Sequence, residues 1–317
     1  MRGRNVLVAG GAGLVGASLT RRLDALGAHV LASYHERPPP FLPERYRRFD
    51  FTRLDDCLTA TRGMDDVFIC AAQSFGAQVM HERPESLVLP NLNINAGLLE
   101  ACHRNRVGRV LLVSSSTVYQ EALRPIREDD LDLNLPPYPL YAGIGWVTRY
   151  IEQLARFYFA RHGLRIAIVR PTNVYGPLDK FDDDKSHVLP ALIKRALARE
   201  EPFVVWGSGR AVRDFLYVED CVDDLVAAID RCATCEPLNV ASGVGVTIRD
   251  AVEVVLDVCD HNPEVRYDAS KPDAIPYRVV DTARADRILG PRRRTSLRTG
   301  IAETVRWYRA AREARAA

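Results

Sequence analysis

Asn5-Val6-Leu7-Val8-Ala9, followed at once by Gly10-Gly11-Ala12-Gly13-Leu14-Val15-Gly16, settles the architecture of this chain. The first five residues read as a buried strand, and a helix is predicted from about 15 to 27. A Gly-x-x-Gly-x-x-Gly turn between a strand and a helix is the mark of a dinucleotide-binding unit. Gly10 permits the tight turn, Gly13 lets a pyrophosphate approach the backbone, and Gly16 lets the helix sit close to the sheet. The unpaired N–H groups around Leu14 and Val15 at the helix start then face the phosphates. A lysine-type phosphate loop is excluded, since no Gly-Lys-Ser/Thr follows.

Beyond this unit, further strands are predicted at 29–33, 46–49, 66–70, 109–114 and 165–169, with helices near 53–62, 91–105 and 142–162. Short apolar strands alternating with helices of about ten or more residues mean βαβ units and a parallel sheet. The fold class is therefore α/β, a Rossmann-type doubly wound parallel sheet. After residue 170 the rhythm changes. Residues 176–186 are polar and carry four aspartates. A helix at 188–199, short strands at 203–205 and 215–217, a helix at 219–231 and a terminal helix from about 309 follow. The division expected is a dinucleotide-binding domain over 1–170, with some later elements contributed from 171–240, and a smaller substrate-binding lobe over 171–317.

Composition narrows the function classes. The 317 residues are 47% apolar and 26% charged, which a folded core requires. A net charge of +2 excludes a nucleic-acid binder that relies on a broad basic surface. No apolar run is long enough for a membrane span, and the early strand leaves no room for a signal peptide. Of seven cysteines, only Cys232 and Cys235 stand in a CxxC pair. Two thiols without a nearby histidine are too few for zinc, so no metal is expected. Reduced thiols and a cytoplasmic location fit this usage.

The cofactor's 2′ position is read from Ser33-Tyr34-His35-Glu36-Arg37. No carboxylate stands at the strand end, and His35 and Arg37 suit a 2′-phosphate. Glu36 can still reach a ribose. NADP(H) is thus preferred over NAD(H). Asp50 is placed either to accept from an adenine amino group or to cap a helix.

Further motifs carry a resemblance. They are Cys70-Ala71-Ala72, Leu111-Leu112-Val113-Ser114-Ser115-Ser116-Thr117-Val118-Tyr119, and Arg170-Pro171-Thr172-Asn173-Val174-Tyr175-Gly176-Pro177. Ser186-His187-Val188-Leu189-Pro190, Val205-Trp206-Gly207-Ser208-Gly209, Arg213-Asp214-Phe215-Leu216 and Asp268-Ala269-Ser270-Lys271-Pro272-Asp273 complete the set. With them the chain resembles the extended short-chain dehydrogenase/reductases that act on nucleotide sugars, and within them the GDP-fucose synthase group of 3,5-epimerase/4-reductases. The resemblance covers nearly the whole chain. It implies an NADP- or NAD-dependent enzyme acting on a nucleoside-diphosphate keto-deoxysugar. It also implies cofactor contacts at Phe51, Ala71, Ala72, Asn91, Ser114, Tyr141, Pro171 and Asn173.

In that family a serine and a tyrosine hold the substrate oxygen. A lysine one turn after the tyrosine holds the nicotinamide ribose and eases the tyrosine proton off. Ser115 and Tyr141 take the first two places. The lysine position is Gly145. Arg149, eight residues past Tyr141, lies about 12 Å further along a helix and cannot copy the ammonium. Tyr138 does no better, its partner being Ala142. Gly143 and Gly145 imply either close packing there, by the ribose with water in the lysine's place, or a helix that starts later. Of the two acid/base groups that the resemblance implies for epimerisation, His187 matches one, and Thr117 stands where the other is a cysteine. The resemblance further implies substrate contacts at Ser115, Thr117, Asn173 and Val188, with Arg213 and Lys271 near the diphosphate. Lys194 is close enough in sequence to His187 to line the same cleft. Trp206 packs on the substrate or in the core.

Three outcomes follow from the missing lysine: redox chemistry with a substitute cation, epimerisation alone, or a non-catalytic dinucleotide-binding or regulatory protein. A 4,6-dehydratase is disfavoured, because Thr117 is followed by Val118-Tyr119 rather than Asp-Glu. A homodimer is expected through the helices at 91–105 and 142–162. The second carries Trp146, Tyr150, Leu154, Phe157 and Phe159, more aromatic surface than one sheet-facing stripe needs.

Overall fold

Seven parallel strands form the central sheet: β1 (Asn5–Ala9), β2 (His29–Tyr34), β3 (Tyr46–Arg48), β4 (Asp66–Ile69), β5 (Arg109–Val113), β6 (Arg165–Pro171) and β10 (Pro237–Val240). Their order is β3-β2-β1-β4-β5-β6-β10, the doubly wound arrangement that reverses beside β1. The computed structural model describes residues 1–74, 82–182, 186–270 and 275–316.

The strands are apolar throughout because both faces are covered. Leu7, Val67, Val110 and Ile166 enter one core, against α2 (Leu54–Thr61), α3 (Val88–Arg104) and α4 (Ala142–His162). Their neighbours Val8, Phe68, Leu111 and Ala167 enter the other, against α1 (Leu14–Ala25), α6 (Val218–Arg231) and α8 (Ala283–Leu289). At the amino edge, Arg4 and Arg109 both grip the fully buried Asp66. Burial would raise this carboxyl, but the two arginines hold it below its ordinary value.

A second sheet joins β7 (Asn173–Tyr175), β9 (Val212–Tyr217), β11 (Gly245–Thr247) and β13 (Tyr277–Arg278), and β8 (Phe203–Trp206) pairs with β12 (Val265–Asp268). With α5 (Val188–Leu197), α7 (Ile248–Val258) and α9 (Leu297–Ala316) they enclose a third core. The terminal helix begins at Leu297, well before the predicted 309. Ile301 and Val305, four residues apart, are buried against the α7 side, a stripe that the surrounding arginines obscure in sequence. α4 begins at Ala142, so Gly143 and Gly145 lie inside it and the later-start alternative falls. It closes on Gly163 at φ 68, the left-handed cap that glycine tolerates.

Candidate active site

The site forms at the carboxyl edge of the central sheet, where β1 feeds the glycine loop. Gly10 adopts φ +82, and a Cβ there would sit 2.6 Å from the Ala71 backbone. Gly16 packs so tightly that a Cβ would lie 2.1 Å from the Gly10 carbonyl. Gly13 differs: its Cβ would meet only that carbonyl, at 3.3 Å. Gly13 is the N-cap of α1 and has no side chain to satisfy the first-turn N–H groups. The open side of Gly13 and these donors suit a pyrophosphate. The Ser33 hydroxyl accepts from the Gly10 N–H at 2.7 Å and so braces the loop.

Around the loop the predicted cofactor residues fall into two kinds. His35 and Glu36 are exposed at the end of β2, and Ala72 is exposed after β4. Arg37 donates to the Leu178 carbonyl at 2.9 Å. Asp50 accepts from the Thr52 N–H and hydroxyl, which hold its carboxyl below the usual range. Phe51 packs its ring into the core, stacked with Phe49 at 5.8 Å, and its carbonyl accepts from the buried Cys57 thiol. Asn91 is buried, and its amide is committed to Gln73 and the Leu87 carbonyl. It shapes the loop after β4. Pro171 is buried at the end of β6, and Asn173 is exposed, its amide donating to the Asp214 carbonyl.

Ser114 is likewise buried, its hydroxyl donating to Glu152 at 2.5 Å. Glu152 also pairs with Arg170, both 1% exposed. Arg170 then reaches the Tyr119 hydroxyl, which donates to Asn239. This network fixes the end of β5, and Ser115 follows it, half-buried, its Oγ capping Thr117 N–H at 3.1 Å. The Thr117 hydroxyl oxygen is buried without a partner among the described residues.

The place of the missing lysine is filled. A Cβ on Gly145 would lie 2.6 Å from Pro137 Cβ, 2.9 Å from its Cγ and 2.9 Å from the Thr117 carbonyl. Protein therefore packs closely in the direction that a side chain at 145 would take. No residue of α4 is a lysine. Arg149, 2% exposed, donates to the Val118 and Leu135 carbonyls and lies against Trp146 at 4.7 Å. It ties the loops on either side of the site to α4 and offers no charge in the lysine's position.

Opposite stands a pair of guanidiniums. Arg213 on β9 and Arg278 on β13 are register partners, both buried. Arg278 donates long hydrogen bonds to the Gln120 and Tyr119 carbonyls, and its Nε has no partner among the described residues. Burial pushes it down to about 10, Tyr141 opposes that and Arg213 adds to it, so both groups lie in its neighbourhood. Tyr141, half-buried, forms the N-cap of α4 beside the ring of Tyr138. Sequence reasoning missed Arg278; a two-residue strand carries no periodicity to flag it. Lys271, expected in this role, lies outside the described residues.

His187 is the N-cap of α5 and makes no capping bond with its side chain, which is 44% exposed. Its Nδ1 lies 3.8 Å from Asp179, another residue that sequence reasoning noticed only as one of four aspartates. Val188 and Lys194 are half-buried on the same helix. Trp206 is 57% exposed at the end of β8, so it is no core aromatic. All seven thiols are free. No helix among the described residues is long and apolar enough to cross a membrane.

Known proteins share this architecture along the whole chain. Residues 6–241 match the model of the NAD dependent epimerase/dehydratase family. The dTDP-4-dehydro-6-deoxy-D-allose reductase of Streptomyces sp is 33% identical over 324 residues, covering 97% of each protein. GDP-L-fucose synthase 1 of Arabidopsis thaliana is 31% identical over 311 residues, covering 96% of this chain and 92% of that protein. Among solved structures, MoeE5 in complex with UDP-glucuronic acid and NAD superposes with a TM-score of 0.82 at 29% identity, covering 97% of this chain and 99% of that one.

Proposed function

This chain belongs to the NAD dependent epimerase/dehydratase family, and on that footing we propose that it is an NAD(P)-dependent epimerase/4-ketoreductase of a nucleoside-diphosphate keto-deoxysugar. One observation carries the reading: beside a glycine loop that is open at Gly13, the chain buries two register-paired arginines, Arg213 and Arg278, the second donating to the Tyr119 and Gln120 carbonyls just past Ser115 and lying in the neighbourhood of Tyr141. The loop takes one pyrophosphate through backbone N–H groups, and the guanidiniums take the diphosphate of a second nucleotide. NADP(H) is favoured, with His35 exposed at the end of β2 and Arg37 beside it.

When bound, the nicotinamide would supply a hydride to the keto carbon, or take one from the corresponding alcohol carbon in the reverse direction. The chain's own groups do the rest. Ser115 Oγ and the Tyr141 hydroxyl hold the keto oxygen and stabilise the charge that develops on it. His187 moves a proton at the carbon next to the ketone. Thr117, its hydroxyl buried and without a useful pKa, packs behind Ser115 and moves no proton. Trp206, Asn173, Val188 and Lys194 border the sugar and the base. The filled lysine position favours epimerisation over rapid net reduction, since no ammonium backs Tyr141 from α4. The division into a dinucleotide half and a substrate lobe follows the two sheets. A cytoplasmic homodimer is part of the proposal, through exposed Leu89 of α3 and exposed Trp146, Tyr150 and Phe157 of α4.

The test is a reaction of GDP- and dTDP-linked 4-keto-6-deoxysugars in deuterium oxide, with and without NADPH. Deuterium uptake without cofactor oxidation supports epimerisation, and cofactor oxidation supports reduction. Seeing neither with either nucleotide refutes the enzymatic reading and leaves a dinucleotide-binding protein.

A further inference from the structure

The turn between β7 and α5 contains a buried acid that the reaction above does not use. The Asp179 side chain is 2% exposed. Its Oδ1 accepts the Lys180 N–H at 2.7 Å, while Oδ2 has no partner among the described residues. Burying a carboxylate oxygen without a donor is unfavourable, and folds keep such groups where something else needs them. Among the described residues the His187 imidazole is paired with it, its Nδ1 lying 3.8 Å from Oδ1, the oxygen that also accepts the Lys180 N–H. Lys180, next in sequence, turns away and donates to the Ser74 carbonyl and hydroxyl. The backbone is held to this end. Leu178 adopts φ +72, a left-handed conformation that a leucine rarely takes, and Arg37 clamps its carbonyl from outside. The strained turn places Asp179 under His187.

We propose that Asp179 is a positioning residue for His187: its carboxylate takes the Nδ1–H, fixing the tautomer in which Nε2 carries the lone pair that meets the substrate. The proposal rests on the acid/base role of His187 given above. An acid behind an imidazole orients the ring and selects its tautomer without itself touching the substrate. At 3.8 Å the pair is longer than a hydrogen bond, and such contacts tighten when substrate covers the ring.

The test uses Asp179→Asn, Asp179→Glu and His187→Asn in the full-length protein, with GDP-4-keto-6-deoxymannose in deuterium oxide. Asp179→Asn is expected to lower the rate constant for deuterium exchange about 10- to 100-fold with KM within about twofold, and Asp179→Glu to recover part of it. Ring 15N shifts of His187 in the wild type saturated with GDP-4-keto-6-deoxymannose are expected to report a protonated Nδ1 and a bare Nε2. A wild-type ring with bare Nδ1 overturns the proposal without any variant, even if Asp179→Asn does not fold. Exchange unaffected by Asp179→Asn but abolished by His187→Asn also overturns it, and leaves the proposed function standing. Exchange that survives His187→Asn refutes the acid/base role itself.

Discussion

Replacing Gly145 by lysine puts back the side chain that the Tyr-x-x-x-Lys spacing asks for, at a point where the backbone has no room for it. A Cβ there meets Pro137 at 2.6 and 2.9 Å and the Thr117 carbonyl at 2.9 Å. Overpacking of this kind costs about 1–3 kcal/mol. Removing a glycine from a helix interior returns roughly 1 kcal/mol. Gly145→Ala should therefore lie between neutral and about 2 kcal/mol destabilised. Gly145→Lys should be worse, because it forces an ammonium into a buried position four residues from the buried Arg149. At about 2–4 °C per kcal/mol in large chains, the melts separate readily. Adding Pro137→Ala relieves the Cγ contact but leaves the residue's own Cβ at 2.6 Å and the Thr117 carbonyl at 2.9 Å, so only a small part of the loss returns. The assay is thermal unfolding together with NADPH oxidation on a 4-keto sugar nucleotide. We expect a lower melting temperature and no faster oxidation. A Gly145→Lys variant that melts at or above the wild type and oxidises NADPH faster would refute the claim that protein fills the lysine's place.

Gly13→Ala should keep its melting temperature within about 2 °C but weaken NADP(H) binding about tenfold by titration, since the new methyl points where a pyrophosphate sits, whereas Gly16→Ala, 2.1 Å from the Gly10 carbonyl, should lose stability outright. Arg278→Met should raise KM for the sugar nucleotide about 10- to 100-fold with little change in kcat, as expected for a charged partner of the diphosphate. Asp66→Asn should cost about 1.5–3 kcal/mol at neutral pH in a denaturant melt, because Arg4 and Arg109 lose their shared carboxylate while Arg4 keeps access to solvent and Arg109 keeps Asp230. The Asp66 carboxyl is depressed in the folded state. Its contribution is complete above the unfolded value of about 3.9 and disappears as pH falls through the folded one. Wild type should therefore lose stability more steeply than Asp66→Asn as the pH drops below about 4.

The glycine loop and the strand–helix rhythm were legible because they are local: one backbone path and two periodicities. The start of α4, with its two interior glycines, was placed by sequence within a residue. What lay behind Gly145 was not legible, because Pro137 reaches it from a loop whose path no periodicity encodes. Asn91 and Ser114 were read as cofactor contacts, while their partners, Gln73 and Glu152, come from other segments. Their hydrogen bonds exist only once the sheet is assembled. Asp179 and Arg278 escaped for the same reason. Each matters through a neighbour that is distant in sequence or displaced by a strained turn.

The Glu152 carboxylate has a consequence for how this site can change. It fastens α4 to Ser114 and Arg170 about two turns beyond Gly145. A helix moored downstream keeps its axis whatever residues occupy its opening turn. The end of β5 is thereby held from α4 independently of residues 141–145, although the Thr117 turn that follows Ser115 packs directly on Gly145. Chemistry at this edge can be exchanged residue by residue while the scaffold stays in register, and a lost lysine does not entail a lost enzyme.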